Sequence, residues 1–414
     1  MGELEHSFYV GWFSFLTFSF TGVEQFMESI QSVYIHIPFC RQICHYCDFV
    51  KFFYNEELAT EYLEALFQEI DTALPGDKHK MRTMYIGGGT PTALTMKQLH
   101  TLFRFLNKKF DFSSFEEVSI EINPGDIDAD KTKLLKDYGI TRISFGVQVM
   151  DDRMLEQLGR VHRVKDVYDT VHLLKQRDFA NVSLDLIYAL PNQTVEQFQA
   201  SLDEALSFGL PHYSTYALQI EPKTIFYQKH KKGQLHRPPE DDEVMMYEIL
   251  KRTMKSKGIH QYEVSNFSLP GFESKHNLTY WNNDYYYGFG AGAHGYLPGK
   301  RVTNIRPLPA YVKKAFADGK PILQVDKVSI KERIEEEMFL GLRKINGIDK
   351  KHFQERFGIE IERLYKKELE NLLNNGLIYE DVQSIRLTEQ GMLLGNRVFE
   401  KFLLDRDPTI ETIS

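Results

Sequence analysis

Short runs of β-branched and aromatic residues alternate along the chain with longer amphipathic stretches. Six such runs predict strands, at residues 32–38, 82–87, 116–122, 141–147, 182–188 and 212–218. Apolar side chains four residues apart, at Leu58, Tyr62, Leu66 and Ile70, predict a helix over residues 56–71. Further helices are predicted at residues 95–107, 128–138, 151–158, 164–177 and 194–207. This alternation predicts a parallel sheet with right-handed crossovers.

Six strand–helix repeats fit either a doubly wound sheet or an incomplete barrel, and the positions of unusual residues favour the barrel. Gly87-Gly88-Gly89 closes the second strand, Glu121 closes the third, Gln148 follows the fourth and Asp185 lies within the fifth. Polar chemistry gathered at the carboxyl ends of successive strands is typical of barrel enzymes. We therefore predict an α/β fold with a partial, TIM-like (β/α)6 barrel over residues 31–235.

The pattern changes after residue 225. Residues 226–242 are polar and Pro-rich and predict a linker before a helix at 241–256, while residues 260–305 are aromatic and Gly-rich without a clean period. We assign residues 236–325 to an extension of the barrel. Helices at 330–343, 350–357, 360–375 and 389–404, with a strand pair at 377–387, resemble a winged-helix domain over 330–404.

The N-terminus carries an uncharged, apolar stretch at residues 7–23. This stretch is short for a spanning helix and is interrupted by Ser, Thr and Gly. Glu3 and Glu5 precede it where a signal peptide would have basic residues, and no small-residue cleavage site follows. We expect residues 1–30 to be an extension outside the fold, with Met27 as the native start. A peripheral anchor and a signal peptide are the alternatives.

Charge excludes one class of partner. The 414 residues carry a formal net charge of −8, and basic and acidic residues nearly balance over 330–404. No bulk positive charge is therefore available to hold nucleic acid, even in the winged-helix-like domain. We expect no nucleic-acid partner and no integral membrane segment, and we leave peripheral membrane contact open.

All three cysteines of the chain fall within eight residues, at Cys40, Cys44 and Cys47. An odd, tightly clustered set cannot form a disulfide framework and indicates a reducing, cytoplasmic location with a bound metal. Structural zinc would need a fourth ligand, for which His45 or Asp48 could be proposed. Three thiolates suit a 4Fe–4S cluster in which one iron stays open.

The spacing C-x3-C-x2-C after a first barrel strand resembles the signature of the radical S-adenosylmethionine (SAM) superfamily. The resemblance implies that the three thiolates hold a 4Fe–4S cluster. It also implies that the amine and carboxylate of SAM chelate the fourth iron, and that one electron from the cluster cleaves SAM to a 5′-deoxyadenosyl radical. A 4Fe–4S cluster and SAM are thus the first two expected cofactors.

The segment GGGTP, which contains Gly88, Gly89 and Thr90, looks like the family segment that binds the methionyl amine. Absent side chains let the backbone approach a ligand closely.

The sequence also resembles the branch of the superfamily that acts on porphyrins. That resemblance implies that five residues line the SAM pocket: Tyr34, Glu121, Gln148, Arg160 and Asp185. Asp185 or Gln148 would accept hydrogen bonds from the ribose hydroxyls, and Arg160 would pair with the methionyl carboxylate. Glu121 taken alone would be a solvent-facing acid at a strand end.

Two groups within this branch are similar to the chain over about residues 31–404. One is the oxygen-independent coproporphyrinogen III dehydrogenases, which decarboxylate two propionates. The other is the HemW haem chaperones, which hand haem to acceptor proteins. The dehydrogenases usually carry a fourth cysteine two residues after the third, and this chain has Phe49 there, as HemW does.

Residues 276–281 read HNLTYW, which matches the H-N-x-x-Y-W motif associated with haem binding in HemW. The resemblance implies haem as a third cofactor, with His276 as its iron ligand and with Tyr280 and Trp281 stacked on the macrocycle. The alternative for His276 is a hydrogen-bonded structural histidine in an aromatic patch. Weaker haem candidates are His36, His45 and His294.

These resemblances lead to one principal hypothesis and two alternatives. We expect a haem chaperone without coproporphyrinogen dehydrogenase activity and assign no catalytic residue. The expected partners are haem and a haem-acceptor protein, for example a component of the respiratory chain. The alternatives are the coproporphyrinogen dehydrogenase itself and a radical SAM enzyme that acts on an unrelated substrate.

Overall fold

The structure is a computed structural model that describes residues 30–405. The predicted N-terminal extension, with its apolar stretch and Met27, lies outside the described residues and stays a prediction.

The first half of the chain alternates strands and helices as predicted. The strands are β1 (Ser32–Ile37), β2 (Phe39–Cys40), β3 (Phe52–Phe53), β4 (Thr83–Gly88), β5 (Glu117–Ile122), β6 (Arg142–Gln148), β7 (Asn181–Tyr188) and β8 (His212–Ala217). The helices are α1 (Glu56–Ala73), α2 (Met96–Lys109), α3 (Ala129–Asp137), α4 (Asp152–Gln157), α5 (Val164–Gln176) and α6 (Val195–Ser207). Strands β1, β4, β5, β6, β7 and β8 pair in parallel in that order, which confirms the partial (β/α)6 barrel.

Local sequence explains where these helices begin. Thr95 and Thr194 each form a capping box with a glutamine three residues later, at α2 and α6. Asp128 accepts a hydrogen bond from a backbone N–H in the first turn of α3. The strands they connect are mostly buried, as expected for a parallel sheet covered by helices.

Residues 236–325 extend the same sheet at both edges. Their strands are β9 (His260–Gln261), β10 (Asn266–Ser268), β11 (Tyr286–Phe289), β12 (His294–Leu297), β13 (Lys300–Asn304) and β14 (Ile322–Lys327). Helices α8 (Glu240–Ser256), α9 (Lys275–Trp281) and α10 (Leu308–Asp318) accompany them. Helix α7 (Ile225–Lys231) precedes them and occupies the first part of the predicted linker, which is therefore not wholly irregular. The complete order is β14-β13-β12-β11-β1-β4-β5-β6-β7-β8-β10-β9, in which β11 is parallel to β1.

A smaller unit with its own apolar core follows. Its elements are α11 (Ile330–Gly341), β15 (Ile348–Asp349), α12 (Lys350–Phe357), α13 (Ile361–Leu364), α14 (Lys366–Asn374), β16 (Ile378–Glu380), β17 (Ser384–Leu387), α15 (Glu389–Leu393) and α16 (Gly395–Phe399). The three strands pair antiparallel in the order β15-β17-β16. The helices predicted at 360–375 and 389–404 are each divided, at Tyr365 and Leu394. The assignment of residues 330–404 to a winged-helix-like domain stays a prediction. Within residues 30–405, no helix is both long and apolar enough to span a membrane.

Candidate cluster and cofactor site

A pocket of about 400 Å³ lies where the parallel strands end, and we call it the cluster pocket. Its walls include ten of the predicted site residues: Cys40, Cys44, Cys47, Gly88, Gly89, Thr90, Glu121, Gln148, Arg160 and Asp185. Tyr34 and His276 are the two predicted residues that do not line it. Six different strands and loops thus contribute to one cavity, as expected for the carboxyl-end face of a barrel.

The cysteine loop is fixed against the loop after α4. Cys40 ends β2, and Cys44 and Cys47 follow it before β3. The His45 backbone N–H donates to the Leu158 carbonyl over 2.9 Å, and its ring Nδ1 lies 2.9 Å from the Gln157 carbonyl. His45 therefore anchors the loop.

The arrangement of the three thiols fits a cluster. Cys40, Cys44 and Cys47 line one pocket, and the Arg160 guanidinium donates to the Cys44 sulfur. In a 4Fe–4S cluster each thiolate binds a different iron, so three cysteines of one loop at the wall of a shared cavity suit such a cluster. Burial raises the pKa of Cys40 to about 12 and also raises that of Cys47, so iron would supply the charge that stabilises the thiolates.

The glycines of the GGGTP segment are required by the space around them. Gly88 has a φ of +113°, and a Cβ at this residue would lie 2.3 Å from the His36 ring. A Cβ at Gly89 would lie 2.8 Å from the Phe39 backbone nitrogen. Larger residues would displace β1 or close the pocket, so only glycine fits these two positions. Contact of this backbone with the methionyl amine stays a prediction.

Two buried carboxyl groups face the cluster pocket. Glu121 accepts hydrogen bonds from the Gly88 N–H over 2.8 Å and the Tyr85 hydroxyl over 2.9 Å, and burial raises its pKa to about 7. Asp185 accepts from the Ser144 hydroxyl over 3.1 Å, and burial raises its pKa to about 6. Glu121 is therefore a pocket residue and not a solvent-facing acid. Both oxygen pairs keep the capacity to accept from an amine or from ribose hydroxyls.

Gln148 and Arg160 reach the pocket from neighbouring loops. Gln148 has a φ of +75° beside a register irregularity at the end of β6, which turns its side chain toward the cavity. The Arg160 guanidinium donates to the Asn123 side chain over 2.6 Å and also to the Gly146 carbonyl. These contacts hold the guanidinium at the pocket wall, where a ligand carboxylate could reach it.

A chain of hydrogen bonds joins two of the cysteines, and the sequence analysis missed its central residue. Thr90 donates to the Cys40 sulfur over 3.7 Å and accepts from the Asn123 amide over 2.7 Å. Asn123 accepts from Arg160, which in turn donates to the Cys44 sulfur over 3.5 Å. Asn123 lies two residues after Glu121, which is a predicted site residue. This closeness along the chain is the signal by which the sequence could have identified Asn123.

Tyr34 contacts a residue of the cluster pocket, Tyr85, but does not itself line the pocket. The Tyr34 hydroxyl is 2.8 Å from His36 Nδ1, and its ring stacks on Tyr85 with centroids 6.2 Å apart. The other His36 ring nitrogen lies 2.8 Å from the Val50 carbonyl. A direct role for Tyr34 in SAM binding stays a prediction.

The HNLTYW segment forms α9, and the structure places His276 in the interior. Its side chain is fully buried, with Nδ1 2.8 Å from the Thr83 hydroxyl and Nε2 2.8 Å from the Tyr280 hydroxyl. The ring stacks on Tyr85, and burial lowers its pKa to about 3. Iron ligation would require one of these hydrogen bonds to break. Ligation by His276 stays a prediction, and the geometry favours the structural alternative.

The other aromatic residues of α9 also contact protein. Tyr280 packs edge-on against Tyr286 at 4.7 Å, and the Arg343 guanidinium lies 5.6 Å above the Trp281 ring. Among the weaker haem candidates, His294 is exposed and 3.1 Å from the Thr303 hydroxyl.

Comparisons with known proteins agree with this geometry. The profile of the radical SAM superfamily matches residues 34–205, and that of the HemN C-terminal domain matches residues 328–394. The chain is 48% identical over 376 residues to the heme chaperone HemW of Bacillus subtilis, covering 90% of this chain and 99% of that protein. It is 43% identical to the heme chaperone HemW of Lactococcus lactis, again covering 99% of the relative.

A solved structure shares the fold over both domains. Coproporphyrinogen III oxidase (HemN) from Escherichia coli, described as a radical SAM enzyme, matches with a TM-score of 0.80 over 92% of each chain. At 23% identity this match shows the fold alone. The identity to the bacterial relatives, which extends over almost their whole length, is decisive: the chain belongs to the HemW family of radical SAM proteins.

Proposed function

We propose that this protein is a haem chaperone, which binds haem and passes it to an acceptor protein on a radical SAM scaffold. The observation that carries the proposal is the 48% identity across 99% of a protein named heme chaperone HemW. The residue after Asp48 supports it. Phe49 stands where the dehydrogenases have a fourth cysteine, and it lies at the cluster pocket with 65% of its surface exposed.

The three cysteines would hold the 4Fe–4S cluster, and SAM would complete the coordination of its open iron. Around them, the chain's own groups bind and orient the ligand. Arg160 offers a guanidinium to the methionyl carboxylate, the Gly88–Gly89 backbone approaches the amine, and Asp185 accepts from the ribose. The Thr90–Asn123–Arg160 hydrogen bonds position the cysteine loop relative to these groups.

The expected partners follow from the role of haem as the transported ligand. Haem must leave the protein for an acceptor, and we expect that acceptor to be a component of the respiratory chain. Such an acceptor would bring the protein to a membrane surface by peripheral contact. Three free cysteines in one cluster motif suit a reducing compartment, so we expect the protein to act in the cytoplasm.

The decisive experiment separates the chaperone from the dehydrogenase. Protein with an anaerobically rebuilt cluster is given SAM, a reductant and coproporphyrinogen III, and the products are analysed for protoporphyrinogen. In parallel, haem-loaded protein is mixed with an apo-haem protein, and the Soret absorbance of both is followed after separation. We expect haem to transfer and protoporphyrinogen to be absent. Protoporphyrinogen formed in stoichiometric amounts would overturn the proposal in favour of the dehydrogenase.

A further inference from the structure

A second cavity, of about 1050 Å³, lies between the barrel and the C-terminal unit, and we call it the interdomain cleft. Its walls come from the end of β8, from α8, from residues 342–345 after α11 and from the α15–α16 region. It adjoins the cluster pocket, because Tyr216, Ala217 and Gln219 line both cavities. The cleft is large enough for a ligand much bigger than an amino acid.

One side of the cleft is cationic. Arg237, Arg343, Lys344 and Arg397 line it, and Arg237 is paired with Glu243 at 2.6 Å. Within residues 30–405, neither Arg343 nor Arg397 forms an ion pair with a carboxylate. The Arg343 guanidinium carbon lies over two aromatic rings, 5.6 Å from the centroid of Trp281 and 5.3 Å from that of Phe399. Contact with aromatic rings does not use the N–H donors of a guanidinium, so they stay available to a carboxylate.

The remaining lining combines aromatic and apolar side chains with polar and acidic ones, which are Thr215, Gln219, Glu240, Glu243, Ser265 and Asn396. Tyr216 is 43% exposed, Leu393 is 57% exposed, and both line the cleft with Tyr247, Phe399 and Met392. Exposed apolar side chains that gather in a concave site mark a binding surface for an apolar ligand. The ligand that combines a large flat apolar body with two carboxylates is haem, whose propionates would meet the arginines.

We propose that the interdomain cleft is the haem-binding site of this protein, with the propionates at Arg343 and Arg397 and the macrocycle against Tyr216 and Phe399. The proposal rests on the proposed function for the identity of the cargo and adds where the cargo is held. None of the lining residues is His or Cys, and the possible iron ligands of the cleft are the Met392 thioether and the hydroxyls of Tyr188, Tyr216 and Tyr247. Ligation by the thioether alone would be weak, which suits a carrier that must release its haem.

The HNLTYW helix supports the cleft from below. Trp281 lies under Arg343, and Lys344, the next residue, donates to the Asn282 side chain over 2.7 Å. Arg356 donates to the Asn282 carbonyl over 2.9 Å and so ties the end of α9 to the C-terminal unit. The motif therefore acts as a positioning element for haem, because it fixes the residues that line the cleft.

Haem titration of the full chain, with its cluster rebuilt, tests the site. The variants are Arg343→Gln/Arg397→Gln and the matched control Arg363→Gln, an exposed arginine of the same unit that does not line the cleft. We expect the double variant to bind haem at least tenfold more weakly, as expected when two charge-assisted hydrogen bonds are lost. The control should bind as the wild type does. Haem dimethyl ester, whose carboxylates are blocked, should bind the wild type and the double variant equally tightly.

The outcomes separate the two proposals. If the wild type binds haem and the double variant binds it equally well, the cleft is not the site, although the proposed function stands. If the wild type fails to bind haem at all, the proposed function itself fails. Should the double variant not fold, Arg343→Lys/Arg397→Lys replaces it, because this variant keeps the charge and loses the forked geometry. Two results together would also overturn the proposal. The lysine variant would bind haem as tightly as the wild type does, and the wild type would bind haem and its dimethyl ester equally tightly.

Discussion

The cluster pocket and the HNLTYW helix both resemble family motifs, but their polar atoms are placed very differently. In the cluster pocket, side chains from several strand ends face a shared cavity, and their sulfur and oxygen atoms can still accept a ligand. In α9, both ring nitrogens of His276 already have protein partners, and the ring is fully buried. A motif identifies residues that matter, whereas the surrounding contacts decide whether they bind a ligand or hold the fold.

The cost of breaking existing contacts makes this difference quantitative. Freeing a buried, hydrogen-bonded group typically costs about 1–3 kcal/mol, so iron would have to outweigh that loss at His276. The cost at the cysteines is of another kind: burial raises the pKa of Cys40, so iron must displace the thiol proton. The hydrogen bond that the Thr90 hydroxyl donates to the Cys40 sulfur does not have to break. Variants on each side can test this contrast.

The largest expected effect is at the cluster. Cys44→Ser should abolish the broad brown absorbance of the rebuilt protein, because a hydroxyl does not replace a thiolate as an iron ligand. Iron, sulfide and zinc analysis together with the visible spectrum would measure it.

Asp48→Asn is the matched control for Cys44→Ser, because Asp48 is exposed at the same pocket and was an alternative zinc ligand. It should keep the wild-type spectrum. A retained cluster spectrum in Cys44→Ser, or equimolar zinc in the wild type, would contradict the cluster assignment.

The second-largest expected effect is a loss of folding stability when His276 of α9 is replaced. His276→Ala removes two buried hydrogen bonds and leaves a cavity beside Tyr85, so the free energy of unfolding should fall by about 2–4 kcal/mol. The Soret band of bound haem should stay at its wild-type position. Urea unfolding of the cluster-free protein and haem titration would measure the two outcomes.

His294→Ala is the control for His276→Ala, because His294 is exposed and was a weaker haem candidate. Its effect on stability should stay within about 0.5 kcal/mol. A shifted Soret band in His276→Ala at unchanged stability would instead make His276 the iron ligand.

The contrast also explains what the sequence could predict. The six barrel strands β1, β4, β5, β6, β7 and β8 have six to eight residues and alternate with helices. Their periods can therefore be read from the sequence, and so can the polar residues gathered at their ends. Strands β9 to β13 have only two to five residues, which is too short for a period, so residues 260–305 were left without elements.

The pattern of residues along the sequence could not predict contacts between residues that are far apart in the chain. Asn123 and Arg160 are separated by 37 positions, as Thr83 and His276 are by 193. The role of Asn123 and the burial of His276 follow from the fold that brings these partners together. The cysteine motif could be recognised without knowledge of the fold, because its three residues lie within eight positions of the sequence.

A smaller effect is expected from the hydrogen-bond chain in the cluster pocket. Asn123→Ala removes the contacts to Thr90 and Arg160, so the guanidinium is no longer held at the pocket wall. Losing about 1.4 kcal/mol of positioning corresponds to about tenfold weaker SAM binding. Calorimetric titration of SAM into the rebuilt protein would measure it, with the exposed Asn371→Ala as control. Unchanged SAM affinity would show that Arg160 needs no support from Asn123.

The smallest effect is a pH dependence at Glu121, the carboxyl group that the pocket buries. Its pKa of about 7 in the folded protein lies above the ordinary value of 4.5, so the folded state keeps a proton that the unfolded chain releases. Wild-type stability therefore contains a contribution that is lost as the pH rises from the ordinary pKa to about 7. The Glu121→Gln variant has no carboxyl group at this position, so its stability does not fall in this way over the same pH range.

The stability of Glu121→Gln relative to wild type should therefore rise between about pH 5.5 and about pH 8, by on the order of 1 kcal/mol once pocket water is allowed for. Urea unfolding of the cluster-free proteins at both pH values would measure the difference. Glu156→Gln, at an exposed position of α4, should show no such change. A difference that stays constant as the pH rises would mean that water in the open pocket solvates the Glu121 carboxylate as well as bulk water does. In that case the cluster pocket and α9 would differ even more in solvent access, because water would reach the Glu121 carboxylate while the His276 ring stays buried.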